Sequence, residues 1–131
     1  MTRFVVDDSA VLHLVSAEVE VHGAHELLAP TLLRSQTLSA LHEAVQRGEI
    51  PADVARDHLT RITRMPIRLL GDAVLRRRAW DLADQLGWAS TYNAEYVALT
   101  QLQADAIVTL DAELSRSVEG TVATASVDAL R

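Results

Sequence analysis

Short β-prone apolar runs alternate with helical segments along this chain, and that alternation leaves few architectures open. Arg3-Phe4-Val5-Val6 is such a run. It stops at Asp7-Asp8-Ser9, whose side chains can accept from free helix N–H groups, so a strand ends there and a helix through Val15 begins. An acidic segment follows, then a short apolar turn at Leu27-Leu28-Ala29, punctuated by Pro30. Leu32, Leu33, Leu38, Leu41 and Val45 keep one helical face through residues 31–47, and Gly48 ends that helix. Pro51 opens the next, which points Val54, Leu59 and Ile62 inward and stops before Pro66. Residues 67–70 predict a strand, and Asp72 caps a long helix over 73–86 that closes at Gly87. Tyr92, Tyr96, Leu99 and Leu102 mark another helix. Residues 106–110 predict a strand ending on Asp111, followed by a helix over 112–118, Gly120 and a β-prone stretch at 121–124. Strands alternating with helices imply βαβ crossovers, hence a parallel central sheet covered on both faces.

The 131 residues suit one domain, residues 1–131, with a core that needs neither disulfide nor zinc. With no Cys, thiol nucleophiles and cysteine-bearing zinc sites are excluded. The apolar runs are far shorter than the roughly 20 residues that span a bilayer, and Asp7 and Asp8 interrupt any signal-peptide core, so a cytoplasmic chain without membrane attachment is expected. The net charge of -6 is unevenly spread. Between residues 56 and 78 seven Arg stand against two Asp, a local +5 that fits either solvated helix faces or contact with RNA or an acidic partner.

Ligands of parallel sheets bind beyond the carboxyl ends of the strands, which singles out Asp7 and Asp111. Each is also a natural helix N-cap. Together, two strand-end carboxylates can converge as a hard divalent ion requires. The order of motifs is more specific. Val5-Val6-Asp7-Asp8-Ser9-Ala10, Leu28-Ala29-Pro30 leading into Leu38-Ser39-Ala40-Leu41, Ala79-Trp80-Asp81-Leu82-Ala83, Tyr92-Asn93-Ala94-Glu95-Tyr96-Val97-Ala98-Leu99 and Ile107-Val108-Thr109-Leu110-Asp111-Ala112-Glu113-Leu114 resemble the PIN-domain ribonucleases, in particular the VapC-like toxins of toxin–antitoxin systems. The resemblance covers nearly the whole chain. It implies a three-layer α/β/α PIN-like domain, Mg2+ or Mn2+ in an acidic pocket, an RNA substrate, a cognate antitoxin and a homodimer.

That family usually carries four acids. The first, ending the first strand, falls on Asp7, and the last, ending a Val-Thr-x-Asp strand, on Asp111. The Glu of the helix after the Pro falls on Gln36, and the Asp of the Tyr-Asp-Ala block on Asn93. Carboxamides of nearly the same shape keep the pocket and halve its charge. Their oxygens can still coordinate, but they bring no formal charge and no base near neutral pH. The resemblance makes Asp7, Asp111, Gln36 and Asn93 the catalytic set, Asp7, Asp111 and Asn93 the metal ligands, and Ser9 and Thr109 supporting hydroxyls. Nearby acids compensate poorly: Glu95 points away from Asn93, Asp8 reads as an outer carboxylate or a cap, and Glu113 as a first-turn acid. The scattered His13, His22, His25, His42 and His58 lack zinc spacing, and no Walker A, GxSxG or GxGxxG motif occurs. Trp80, Trp88, Tyr92 and Tyr96 read as core or interface aromatics.

Three functions remain: a metal-dependent toxin endoribonuclease, a catalytically weakened PIN fold that binds antitoxin or RNA without cutting, and a small α/β regulatory domain. The last does not explain the Tyr-Asn-Ala-Glu-Tyr block.

Overall fold

A computed structural model describes all residues 1–131. Five parallel strands form its sheet in the order β3-β2-β1-β4-β5. They are β1 (Thr2–Val6), β2 (His25–Pro30), β3 (Ile67–Leu70), β4 (Ala106–Val108) and β5 (Thr124–Ala125). Six helices connect them: α1 (Asp8–Ser16), α2 (Leu32–Gln46), α3 (Ala52–Arg64), α4 (Ala73–Leu86), α5 (Tyr92–Gln103) and α6 (Ala112–Ser117). The chain steps from β1 outward to β3, then returns to lay β4 on the other side of β1. Right-handed crossovers therefore send the connections before and after that reversal to opposite faces. Accordingly α1, α2 and α3 pack on one another, and α4 packs on α5. This is the three-layer α/β/α architecture of a PIN-like domain.

Val5, Val6, Leu28, Ile107 and Val108 are almost fully buried, as strands covered on both faces require. The 67–70 strand, the 73–86 helix with its Asp72 cap, and the Gly87 stop all stand as the sequence predicts. Asp72 accepts from the Leu75 N–H at 2.8 Å, and Gly87 takes the left-handed conformation (φ 72°) that ends a helix without Cβ strain.

Four expectations need correction. Leu27-Leu28-Ala29 is not a turn but the centre of β2, because a strand buried on both faces shows no alternation and its short apolar run resembles a break. Pro30 ends that strand without harm, since the Thr31 N–H instead reaches the Leu70 carbonyl at 3.2 Å. In α2 the buried stripe is Leu33, Thr37 and Leu41, while Leu38 faces out. Thr37 tolerates burial by donating to the Leu33 carbonyl at 2.8 Å. In α3 Ala55 is the buried residue, Leu59 and Ile62 are half-buried and Val54 is exposed. Finally β4 stops at Val108, and β5 forms at Thr124–Ala125 rather than over 121–124, followed by a 3-10 turn at Val127–Leu130. No helix is long and apolar enough to cross a membrane.

Candidate active site

The reversal of strand order occurs beside β1, between its neighbours β2 and β4, so a crevice opens at the carboxyl edge there. Asp7 leaves β1 and caps α1. Its Oδ1 accepts from the Ala10 N–H at 2.9 Å and from Ser9 Oγ at 2.7 Å, and its Oδ2 accepts from Thr109 Oγ1. Thr109 directly follows β4, so this last bond fastens the ends of the two strands together. The hydroxyls extend the network. Ser9 Oγ accepts from the Leu110 N–H at 2.9 Å, and Thr109 Oγ1 from the Asp111 N–H at 3.0 Å.

Asp111 in turn caps α6, its Oδ1 accepting from the N–H groups of Glu113 at 3.0 Å and Leu114 at 3.2 Å. Its Oδ2 takes no bond from the protein and belongs to an exposed side chain on an open cleft of about 540 Å3. Gln36 from α2, Asn93 from the first turn of α5 and Glu113 from α6 line the same cleft. The two helical layers meet here: Tyr96 of α5 donates its phenol hydrogen to Gln36 Oε1 at 2.6 Å.

Asp7 lies differently from the other three. It is only 3% exposed and does not line the cleft, although Thr109 and Ser9 join it to the strand end that carries Asp111. Burial pushes its carboxyl above the ordinary range, opposed by the bonds from Thr109, Ser9 and Ala10 and reinforced by the charge of Asp8. No ion pair relieves it. Burial likewise raises Tyr96, helped by the fields of Asp8, Asp7 and Glu95, so its phenol stays a donor. Glu95 is raised by burial against the pull of Arg76, and it lines a neighbouring opening rather than this cleft.

Both strand-end acids thus serve as helix caps, and capping leaves Asp111 one oxygen for a ligand. Nowhere do three or more His, Cys, Asp or Glu side chains gather closely enough to hold a metal. At this edge Gln36 and Asn93 put neutral carboxamides on the cleft wall, and the Gln36 oxygen already accepts from Tyr96. His22 and His25, at the opposite edge, place their rings 5.7 Å apart, and His25 packs edge-on against Phe4.

One contribution escapes the sequence reading: Tyr96 is indeed buried, but its hydroxyl fixes Gln36, a role that periodicity cannot reveal. Glu113 stands as the first-turn acid of α6 that the sequence predicts, and it also lines the cleft. Of the two readings of Trp80, core or interface, the first is corrected: the ring is 66% exposed.

No protein-family model matches the sequence. Among curated proteins, ribonuclease VapC9 of Mycobacterium tuberculosis is 32% identical over 114 residues, covering 85% of this chain and 87% of its own length. Among solved structures, PAE2754 from Pyrobaculum aerophilum superposes with a TM-score of 0.76 at 22% identity, covering 98% of this chain and 93% of that one. VapBC-1 from nontypeable Haemophilus influenzae follows with a TM-score of 0.64 at 9% identity, covering 96% and 98%.

Proposed function

Since this chain belongs to the VapC ribonuclease family, we propose that it is a toxin endoribonuclease that hydrolyses RNA phosphodiester bonds with a divalent cation held by Asp7 and Asp111. The observation that carries this reading is the hydrogen-bond network by which Thr109 and Ser9 tie the buried Asp7 carboxylate, which has no cationic partner, to the strand end that carries Asp111. The donor chemistry fits. Mg2+ keeps several waters and is held by one or two carboxylates, so Asp7, Asp111 and the Asn93 carbonyl satisfy it without a third acid. Mn2+ accepts the same oxygens. A bound cation of this kind neutralises phosphate charge and lowers the pKa of a coordinated water.

The chain's own groups do the positioning. Thr109 and Ser9 hold the Asp7 carboxylate in one orientation, and the Asp111 cap aims its free oxygen at the cleft. Tyr96 donates to Gln36 Oε1, which turns the Gln36 amide N–H groups outward as donors for a phosphate oxygen or a water.

A cognate antitoxin would silence the enzyme by placing a tail in the cleft, with an Arg on the carboxylates. We take the protein to act in the cytoplasm as a homodimer, for which the exposed Val74 and Leu102 offer apolar surface. A second reading, a weakened PIN fold that binds RNA or antitoxin without cutting, is favoured by one observation: no cluster of three acids or His survives.

Protein freed of antitoxin and incubated with structured RNA in Mg2+, in Mn2+ and in chelator distinguishes the two. Product only with metal, and none from Asp7→Asn or Asp111→Asn, is the expected result. Absence of product in every condition overturns catalysis, and retained RNA binding would then establish the second reading.

A further inference from the structure

Next to the active-site cleft, along the same carboxyl edge, lies a second opening of about 710 Å3 whose wall includes Thr31, Gly71, Arg76, Arg77, Trp80 and Glu95. Thr31 follows β2 and Gly71 follows β3, while Arg76, Arg77 and Trp80 belong to α4. The two openings adjoin at one loop, because Ser90 and Tyr92 line the first and Thr91 the second. A chain lying in one can therefore run on into the other.

The chemistry of the second opening differs from the first. Arg76 and Arg77 make no ion pair within 4 Å, although Arg76 attracts Glu95 across the same opening, in a protein whose net charge is -6. They precede Trp80 by four and three residues, so all three share one face of α4. Trp80 is 66% exposed, the most exposed aromatic ring of the chain. Large apolar rings left in water on a basic surface serve to stack bases, while guanidinium groups hold the phosphates. An acidic protein segment would match the two Arg but would leave the planar indole without a comparable use.

We propose that Arg76, Arg77 and Trp80 form a subsite for single-stranded RNA flanking the scissile phosphate, the guanidinium groups on backbone phosphates and the indole stacked on a base. It rests on the nuclease reading of the adjoining cleft and extends it to the form of the substrate. The strand continues from the cleft past Thr91 onto α4. Duplex RNA, with its bases already stacked, would gain only the phosphate contacts.

Binding of a fluorescently labelled single-stranded oligoribonucleotide, measured in chelator so that nothing is cut, tests this separately from cleavage. Trp80→Ala should weaken binding roughly 5- to 100-fold, as loss of one stacked base does. The dependence of log affinity on log salt should stay as in the parent. Arg76→Ala with Arg77→Ala should reduce that slope by roughly 1.4, or 0.7 per phosphate contact. Trp80→Phe, which keeps a stacking ring, should recover most of the affinity, a pattern that misfolding would not produce. Parent binding with unchanged affinity in all variants overturns the subsite and leaves the nuclease reading intact. So would variants that lose self-association or antitoxin binding while still holding RNA as the parent does. A parent that neither binds nor cuts RNA overturns both.

Discussion

Asp7 occupies an uncomfortable position for a carboxylate, buried at a strand end with three hydrogen bonds and no cation. Its raised pKa means that the metal-free native state holds the proton more tightly than the unfolded chain does. Stability of the metal-free protein should therefore be highest at low pH on this group's account, and fall as pH climbs from the ordinary carboxylate range through the raised native value. Asp7→Asn keeps the cap and removes that component, so its stability relative to the parent, followed by urea unfolding in chelator, should improve from pH 4 to pH 7. Parallel curves would contradict it. Gln36→Glu with Asn93→Asp adds two charges to the cleft wall and should tighten Mn2+ binding at least about tenfold and speed RNA cleavage, measured by titration and by single-turnover kinetics. Asp7 and Asp111 were legible in the sequence because acids directly after β-prone runs are conspicuous. Tyr96 was not, since a residue at a buried helical position gives no sign of where its hydroxyl ends.

At the scale of elements, α4 carries both the proposed RNA subsite and a large share of the core through Leu75, Ala79, Leu82 and Ala83. Its ends are defined by Asp72 and Gly87. Asp72→Ala should cost about 1 kcal/mol of unfolding free energy through loss of the bond to the Leu75 N–H. A change below a few tenths, measured by urea unfolding, would mean that packing alone holds the helix start. Helix α4 was readable because cap, periodicity and C-terminal glycine agreed. The strand β2 was not, because three apolar residues before a proline carry no period, and only pairing with β1 and β3 makes them a strand. Leu38 and Val54 misled for a related reason: apolar character did not decide which face turned inward, and Thr37 and Ala55 took the buried places.

For the whole molecule, the parallel sheet and its layers followed from alternation, but the strand order did not, since it depends on where each crossover returns. That order matters most for function. By pairing β4 with β1 it sets the strand ends that carry Asp7 and Asp111, far apart in sequence, side by side. A cation bound there should stabilise the native state by mass action, about 1.4 kcal/mol at ten times its dissociation constant. The most direct measurement is Mn2+ binding by electron paramagnetic resonance to the parent, Asp7→Asn and Asp111→Asn. Joint ligation predicts bound Mn2+ in the parent and its loss from each variant. Equal binding by all three, or none by the parent, would contradict it.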